Sequence, residues 1–380
     1  MKPGLGRIQE ACIELGHPEN KFSSIHVAGT NGKGSVCAML QSVLSESGLK
    51  VGLFTSPHLV KVNERFKIGD REISDADLEK YLQKIGDKNA LSFFEKCSLI
   101  AFLYFADQKV DFAILETGLG GRLDATNVVR PLVSVITEID LDHTETLGNS
   151  LASIAEEKAG IIKESVPVIC AASHEEAKQV IEKVAQEKNA PFFNVQREQK
   201  SSFPYVLNLQ GEHQIQNAKI VLAVLSNFFP GIDSATIQNG FTKTSWPGRL
   251  HWFSREPAIL LDGAHNVAAM LALVKYLKKS QLKWKVLFSA ASDKKVGEML
   301  KILQEASSEI ILCRMKNSRS IDPVEIQKKF ASELHCKLLA AENTEIEFKK
   351  QKALLQKGEG LLMTGSLYFI AELLTLEQLL

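Results

Sequence analysis

The residues with the clearest capacity for chemistry form one glycine-rich loop near the N-terminus. A lysine stands between two glycines, just before a predicted helix, in the sequence Gly29-Thr30-Asn31-Gly32-Lys33-Gly34-Ser35. A strand, a glycine-rich loop and a helix, in that order, direct backbone N–H groups and a helix N-terminus toward phosphate. Lys33 would add a positive charge beside the β- and γ-phosphates. The pattern predicts a nucleotide-binding loop; the alternative is a glycine-rich turn before an ordinary helix.

The spacing of this loop differs from the common pattern G-x-x-x-x-G-K-[ST]. Val27 stands where that pattern has its first glycine, and Gly34 occupies the usual position of the magnesium-binding hydroxyl. Ser35 follows one place later. We therefore expect the metal to take its hydroxyl ligand from elsewhere, and Ser56 at the end of the next predicted strand is the candidate.

Two further side chains join Ser56 at the ends of predicted strands. Glu116 follows one apolar strand and His143 follows another. Carboxylate and hydroxyl oxygens suit Mg²⁺, and doubly wound folds bind ligands at the edge where parallel strands end. Taken singly, Ser56 is a turn residue before a proline and His143 is a packed loop histidine. Together with Glu116 they predict a magnesium site.

Short apolar segments alternate with amphipathic helices along the chain, which is typical of an α/β fold with mostly parallel sheets. Before residue 200, strands are predicted at 24–28, 51–55, 111–115, 132–137 and 166–170. Residues 200–210 are predicted as short β structure or loop. The Pro-Gly segment 244–248 marks a domain boundary between domains 1–245 and 249–380. Strands of the second domain are predicted at 258–261, 284–288, 309–312 and 360–363.

The composition limits which binding partners and which cellular compartment we expect. Lysine plus arginine and aspartate plus glutamate each number 45, so no net charge favours nucleic acid or an anionic membrane. No apolar run is long enough to span a bilayer, and no signal peptide is evident. We expect a cytoplasmic protein. The scattered cysteines form no Cys-x-x-Cys pair and are predicted to be buried and reduced; they are Cys12, Cys37, Cys97, Cys170, Cys313 and Cys336.

The motifs, taken in order, resemble those of folylpolyglutamate synthase and dihydrofolate synthase, in the Mur ligase superfamily. They cover nearly the whole chain. They are residues 26–35, 55–59, 115–127, 141–144, 157–163, 211–214 with Asn217, 247–249, 262–266 and 364–368. Any one of them can arise by chance, whereas this many in this order is highly specific.

This resemblance implies a fold and a reaction. The fold is an N-terminal P-loop ATPase domain with a mostly parallel sheet, followed by a smaller Rossmann-like α/β domain that binds the amino acid, with the active site between them. The reaction joins L-glutamate to dihydropteroate or to the γ-glutamyl chain of reduced folates, at the expense of ATP. The resemblance also implies Mg²⁺ at two sites and admits a monovalent cation. We expect a monomer.

The resemblance assigns roles to individual residues. Nucleotide contacts are Asn31, Gly32, Lys33, Gly34, Ser35, Asn217, Arg249 and Asp262. Metal ligands are Ser56, Glu116, His143 and a carbamate on Lys158. Catalytic roles fall to Lys33, Lys158 and His265. Substrate contacts are Phe94, Glu95, Leu123, Asp124, Ala125 and Ser366.

The same residues have plainer interpretations. From the sequence alone, Lys158 belongs to a surface charge pair in Glu156-Glu157-Lys158. Asp124 is equally a carboxylate that stabilises its loop. Phe93 and Phe94 are equally core aromatics. His265 and Ser366 are equally a helix-start histidine and an N-cap serine.

Two other functions compete with the folate-type ligase. A ligase that adds an amino acid to a UDP-muramoyl substrate would share the phosphate chemistry, but no separate uridine-binding domain is recognisable before the loop strand. A non-catalytic nucleotide-binding protein would not be expected to retain Lys33, Glu116, His143 and Lys158 together.

Overall fold

The computed structural model of the chain describes residues 4–86, 91–195 and 203–378. It divides the chain into two compact units. The first comprises Met1–Asn208 and His213–Ser245, and the second comprises Leu209–Glu212 and Trp246–Leu380. Within the described residues, no helix is both long enough and apolar enough to cross a membrane.

The first unit is built on an eight-stranded sheet with the strand order β4-β3-β2-β5-β1-β6-β7-β8. Its strands are β1 Ser23–Ala28, β2 Val51–Phe54, β3 Phe66–Ile68, β4 Arg71–Glu72, β5 Phe112–Glu116, β6 Val133–Ile136, β7 Val168–Cys170 and β8 Phe192–Asn194. All neighbouring pairs are parallel except those made by β3 and β4. The central strand β1 therefore ends on the same edge as β2, β5 and β6.

Helices cover both faces of this sheet. They are α1 Gly6–Glu14, α2 Lys33–Glu46, α3 Asp75–Ile85, α4 Phe93–Asp107, α5 Thr144–Leu147, α6 Leu151–Ala159, α7 Glu175–Glu187, α8 Glu212–Phe228 and α9 Ser234–Lys243. One hydrophobic cluster centres on the aromatic residues of α4, including Phe102 and Phe105, which are fully buried. A second cluster joins α6 and α7 to β6 and β7. Because both faces are covered, the central strands are mostly apolar, as expected for buried parallel strands, with buried polar exceptions such as His26 of β1 and Ser134 of β6.

The second unit has a six-stranded sheet with the order β13-β12-β11-β14-β10-β9, parallel except for β9. Its strands are β9 His251–Ser254, β10 Ala258–Asp262, β11 Lys283–Phe288, β12 Ser307–Leu312, β13 Lys337–Ala340 and β14 Glu359–Thr364. Its helices are α10 Val267–Leu277, α11 Val296–Leu303, α12 Pro323–Phe330, α13 Thr344–Leu354 and α14 Leu367–Gln378. The α/β class with mostly parallel sheets is confirmed.

Every predicted strand coincides with an observed one, whereas five short strands were not predicted. These are β3, β4, β8, β9 and β13, all of two to four residues. All five are antiparallel additions or sheet edges and contain polar residues, so they lack the apolar run that marks a buried strand. Of the segment 200–210, residues 203–210 form loop with no strand, and residues 200–202 lie outside the described part of the chain. Cys336 is half-buried, so the prediction that every thiol is buried is wrong for it.

Candidate active site

The loop between β1 and α2 requires glycine at two positions. A Cβ atom on Gly29 would stand 1.8 Å from Thr137 Oγ1, which follows β6. Gly32 has a φ of 90°, and a Cβ atom there would stand 2.4 Å from Asn217 Oδ1 on α8. Both glycines therefore let the loop pack tightly against its neighbours, and at Gly32 the backbone also adopts a left-handed conformation.

The segment after β6 holds this loop in place. Thr30 N donates to Glu138 O at 2.8 Å, and Asn31 Nδ2 donates to Asp140 Oδ2 at 2.8 Å. Thr137 Oγ1 lies 2.8 Å from Asn31 O. The side chain of Asn31, predicted to contact the nucleotide, thus serves here to fix the loop. Its partner Asp140 was not predicted to have a role.

Two lysine ammonium groups converge on the carbonyl of Gly29. Lys33 Nζ lies 3.0 Å from Gly29 O, and Lys158 Nζ lies 2.8 Å from the same atom. Lys158 is on α6 and only 4% exposed, so its interpretation as part of a surface charge pair is wrong. Burial, and then the charge of Lys33, lower the pKa of Lys158 to about 7. The loop is therefore flanked by two amines, one of which is partly neutral near pH 7.

Helix α8 contributes a short polar chain to the first turn of α2, where Gly34 and Ser35 lie. Gln214 Nε2 donates to Ser35 Oγ at 3.2 Å, and Asn217 Nδ2 donates to Gln214 Oε1 at 2.9 Å. All three polar side chains are buried. The predicted nucleotide residues Ser35 and Asn217 are thereby joined through Gln214, for which the sequence indicated no role.

Two of the predicted metal ligands lie side by side. Glu116 is the last residue of β5 and 4% exposed, and its Oε2 accepts a hydrogen bond from Ser56 N at 3.1 Å. Strands β2 and β5 are parallel neighbours, so Ser56 and Glu116 meet at one edge. A buried carboxylate next to a serine fits the hard oxygen donors that Mg²⁺ prefers.

The third predicted metal ligand, His143, caps the N-terminus of α5. Its φ is 50°, its side chain is 43% exposed, and its Nε2 lies 4.0 Å from Asp142 Oδ1. Among the described residues, no group of three or more His, Cys, Asp or Glu side chains is arranged to hold a metal. The predicted metal ligands would not form such a group, because two of them are a serine, Ser56, and a carbamate on Lys158.

The loop of residues 117–128, here called the acceptor loop, carries three of the predicted substrate contacts. Asp124 is buried and accepts four hydrogen bonds. Its Oδ2 accepts from Gly118 N and Leu119 N at 2.8 and 3.0 Å. Its Oδ1 accepts from Thr126 N and Thr126 Oγ1 at 3.0 and 2.5 Å. Asp124 therefore stabilises its own loop, as the interpretation of it as a loop-stabilising carboxylate predicted. Of its two neighbours, Leu123 is 45% exposed and Ala125 is buried.

Phe93 and Phe94 begin α4 and differ in exposure. Phe93 is 61% exposed, so it is not a core aromatic. Phe94 packs against the hydrophobic cluster, with its ring centre 5.7 Å from that of Phe54. A Cβ atom on Gly118 would stand 2.7 Å from the Phe94 ring, so this glycine lets the acceptor loop lie on the ring.

Glu95 is occupied at the start of α4. Its Oε2 accepts from Ser92 N at 2.7 Å, completing a capping box, and its Oε1 lies 3.0 Å from Arg7 Nη2. The structure thus gives Glu95, a predicted substrate contact, a clear part in ordering the helix end.

A buried arginine lies beside these aromatics and was missed from the sequence. Arg65 Nε donates to His58 Nδ1 at 2.9 Å, and the guanidinium carbon lies 5.4 Å from the centre of the Phe93 ring. Burial, and then the charge of Arg65, lower the pKa of His58. His58 belongs to the family-like motif 55–59, but the pattern of that motif does not indicate the arginine.

The predicted residues of the second unit gather at the end of β10 and at the start of α14. Asp262 accepts from Leu250 N and Ala264 N at 2.8 and 2.9 Å. His265 Nδ1 donates to Gly263 O at 2.8 Å, which leaves Nε2 unprotonated in the neutral ring. A Cβ atom on Gly263 would stand 2.9 Å from Nη1 of the predicted nucleotide contact Arg249.

Ser366 lies just before α14. It is buried, and its Oγ accepts from Tyr368 N at 3.2 Å. The interpretation of Ser366 as an N-cap is therefore confirmed.

His26 of β1 is buried in its neutral form. Its Nε2 lies 2.8 Å from Thr126 Oγ1, whose single hydrogen is donated to Asp124. His26 must then donate from Nε2, and Nδ1 carries no proton. Among the described residues, Nδ1 has no hydrogen-bond partner. Burial, and to a smaller extent Lys163, lower the pKa of His26 from 6.5 to about 3.

We expect this histidine to make the protein less stable in acid. The pKa is lower in the folded state, so the unfolded chain takes up the proton first as the pH falls below 6.5. The stability contributed by neutral His26 is complete above that pH and is lost progressively toward about pH 3. The loss should reach about 2 kcal/mol at about pH 5.

Denaturant unfolding of the wild type and of His26→Gln, from neutral to acidic pH, measures this effect. The free energy of unfolding of the variant should fall less steeply, because glutamine does not titrate. Equal slopes in the two proteins would show that His26 does not contribute.

Comparison with known protein families agrees with this two-domain architecture. The model of the Mur ligase middle domain matches residues 27–225, and that of the Mur ligase, glutamate ligase domain matches residues 248–367. The chain therefore belongs to the family of proteins built on these two Mur ligase domains.

Individual relatives narrow the family further. The chain is 37% identical to the dihydrofolate synthase/folylpolyglutamate synthase of Bacillus subtilis, over 98% of this chain and 94% of that protein. E. coli FolC in complex with DHPP and ADP superposes with a TM-score of 0.91 at 28% identity, over 100% of this chain and 94% of the other. The chain belongs to the dihydrofolate synthase/folylpolyglutamate synthase family.

A further similar structure was solved with ligands bound. It is a bifunctional folylpolyglutamate synthase/dihydrofolate synthase with Mn, AMPPNP and L-glutamate bound, with a TM-score of 0.89 at 30% identity. It covers 100% of this chain and 95% of its own.

Proposed function

We propose that this chain is an ATP-dependent ligase that joins L-glutamate to dihydropteroate and to the γ-glutamyl chain of reduced folates. One observation carries the proposal beyond family membership. Lys33 and Lys158 converge on the carbonyl of the nucleotide loop, on the same sheet edge as the Glu116–Ser56 pair. This edge joins the groups that a phosphoryl transfer to a carboxylate needs.

In the first step an acceptor carboxylate oxygen attacks the γ-phosphorus of ATP. The bond from that phosphorus to the bridging oxygen breaks, ADP leaves, and an acyl phosphate forms. A free carboxylate does not condense with an amine, because its oxygen is a poor leaving group; phosphorylation converts that oxygen into phosphate. Lys33 and the loop N–H groups stabilise the negative charge on the transferring group.

In the second step the amine of glutamate attacks the acyl carbon. The C–N bond forms, the C–O bond to phosphate breaks, and the amine loses a proton. We propose that His265 and Ser366 of the second unit receive the amino acid. Their positions support this role, because His265 Nδ1 is held by Gly263 O at the end of β10 and Ser366 lies just before α14.

The oxygen-bearing side chains at the edge of the first sheet suit a divalent metal ion. Glu116, Ser56 and His143 would hold Mg²⁺, which when bound neutralises phosphate charge and orients the nucleotide. We extend this proposal to a second Mg²⁺ and to a monovalent cation. The protein is further proposed to act as a monomer in the cytoplasm, with Arg249, Asp262 and Asn217 as nucleotide contacts.

Lys158 is proposed to carry a carbamate that serves as a metal ligand. Carbamate formation needs a neutral amine, and the lowered pKa of Lys158 makes a large neutral fraction available near pH 7. In the unmodified chain a buried ammonium donates to Gly29 O. Conversion to a carbamate would replace this cation by an oxygen donor suited to Mg²⁺.

The function is tested by phosphate release from purified protein given ATP, Mg²⁺, glutamate and one acceptor. We expect release to depend on both glutamate and dihydropteroate, and likewise on both glutamate and a tetrahydrofolate. A UDP-muramoyl peptide serves as the control acceptor and should give no release above background. Release that ignores the acceptor, or that responds only to the control, would overturn the proposal.

The metal assignment predicts the behaviour of Glu116→Gln. Glutamine keeps the shape of the side chain and an oxygen that can accept from Ser56 N, but it removes the negative charge. We expect the Mg²⁺ concentration for half-maximal activity to rise by about 10- to 100-fold. The matched control is Glu95→Gln, another buried carboxylate that accepts a backbone N–H. The same Mg²⁺ requirement in both variants would refute the assignment.

A further inference from the structure

Strand β1 supports two functional loops at once. Its C-terminal end leads directly into the nucleotide loop. It also holds both ends of the acceptor loop, because Thr117 N donates to Val27 O at 2.9 Å and His26 Nε2 is hydrogen-bonded to Thr126 Oγ1 at 2.8 Å. The acceptor loop is therefore fixed to the strand that sets the position of the phosphates.

Within the acceptor loop, Thr126 connects His26 to the carboxylate of Asp124. The hydroxyl accepts from His26 and donates to Asp124 Oδ1. The other oxygen of Asp124 accepts from the N–H groups of Gly118 and Leu119. One line of hydrogen bonds thus runs from His26 in the central strand, through Thr126 and Asp124, to the backbone N–H groups at the start of the acceptor loop.

The side chains in this line of hydrogen bonds are buried, so solvent cannot readily supply replacement hydrogen-bond partners. His26 and Thr126 are fully buried, and Asp124 is 5% exposed. Removing the Thr126 hydroxyl would leave the N–H of His26 without its acceptor and Asp124 with one donor fewer. Water does not readily replace a partner at such depth, so the carboxylate and the two amides it holds would shift.

The residues that this line orders are those expected to meet the acceptor. Leu123 and Ala125 flank Asp124, and Gly118 lies on the Phe94 ring. We propose that His26 and Thr126 are positioning residues for acceptor binding, which hold the acceptor loop in the conformation that receives the pteroyl group. This inference rests on the proposed function, since it concerns the affinity for one substrate of that reaction.

The test compares Thr126→Val with Thr126→Ser and with a matched control, Ser134→Ala. Valine has the shape of threonine without the hydroxyl, and serine restores the hydroxyl. Ser134 is the strand neighbour of His26 on β6, fully buried, and its Oγ donates to Ile161 O at 3.0 Å. Its loss removes an equally buried hydroxyl from the same level of the sheet and leaves every hydrogen bond between His26, Thr126 and Asp124 in place.

Steady-state kinetics with dihydropteroate as the varied substrate should separate these variants. For Thr126→Val we expect the KM for dihydropteroate to rise by about tenfold, with the KM for ATP changed by less than about twofold. Thr126→Ser should stay near the wild type. Ser134→Ala should lower the Tm comparably but leave the KM for dihydropteroate unchanged.

Two results would overturn the positioning role. One is a rise in the KM for dihydropteroate no larger in Thr126→Val than in Ser134→Ala; the other is an equal rise in the KM for ATP. If Thr126→Val does not fold, Thr126→Ala takes its place, with hydrogen exchange at the Gly118 and Leu119 amides as the second measurement. Faster exchange at both amides is expected, and unchanged exchange would contradict the inference. Failure of the wild type to use dihydropteroate would refute the proposed function instead.

Discussion

Replacing Lys33 by alanine should lower kcat by about a thousandfold. The ammonium group of Lys33 lies 3.0 Å from Gly29 O at the N-terminus of α2, where the loop N–H groups meet the phosphates in the proposed complex. Its charge is needed most when the γ-phosphoryl group is in transfer, so kcat should fall more than the affinity for ATP. Phosphate release at saturating substrates measures the effect.

The control for this variant is Lys50→Ala. Lys50 also belongs to the first unit and donates to a backbone carbonyl, that of Gln108, but on the surface away from the nucleotide loop. It should retain wild-type kcat. Unchanged turnover in Lys33→Ala would show that the loop does not take part in catalysis.

Replacing Lys158 by methionine should lower activity by about a hundredfold. Methionine fills the same buried space without an amine, so no carbamate can form. Wild-type activity should also fall as the pH drops from about 8 to about 6, because an amine with a pKa of about 7 becomes protonated and no longer reacts with CO₂. Bicarbonate should raise wild-type activity in CO₂-depleted buffer and leave the variant unaffected.

Lys163→Met is the matched control for Lys158. Lys163 is partly buried, and its Nζ donates to Asn127 O at 2.7 Å. Burial, and then the charges of Lys188 and Arg130, lower its pKa to about 8. Because Asn127 belongs to the acceptor loop, Lys163→Met is measured at saturating acceptor, where it should keep its bicarbonate response. Intact-protein mass spectrometry should find one added carboxyl group in the wild type that is absent from Lys158→Met. Full activity of Lys158→Met without bicarbonate dependence would rule out the carbamate.

The sheets were largely predictable because their central strands are buried on both faces. Such strands appear as short apolar runs, as in β5, β10 and β14, and the helices between them keep a clear period. The short outer strands were not predictable, because β4 and β13 contain polar residues and owe their conformation to the strand beside them. Tertiary pairing, rather than local sequence, decides those elements.

The site was predictable where a residue type at a given spacing has one main function. It was less predictable where the role of a residue depends on whether the fold buries it. Glycine at 29 and 32 and lysine at 33 indicate a phosphate loop by themselves. The burial of Lys158 was not visible in Glu156-Glu157-Lys158, because local charge says nothing about the packing of α6 against the loop. The lines from His26 to Asp124 and from Gln214 to Ser35 join residues about a hundred or more positions apart, which no local pattern can indicate.

The central claim is that the acceptor carboxylate is activated by phosphorylation and then joined to glutamate. Mass spectrometry of the products formed from dihydropteroate with heavy oxygen in its carboxyl group tests this most directly. The account predicts an amide of dihydropteroate with glutamate and one heavy oxygen atom in the released phosphate. Phosphate without heavy oxygen, or phosphate released without an amide product, would contradict it.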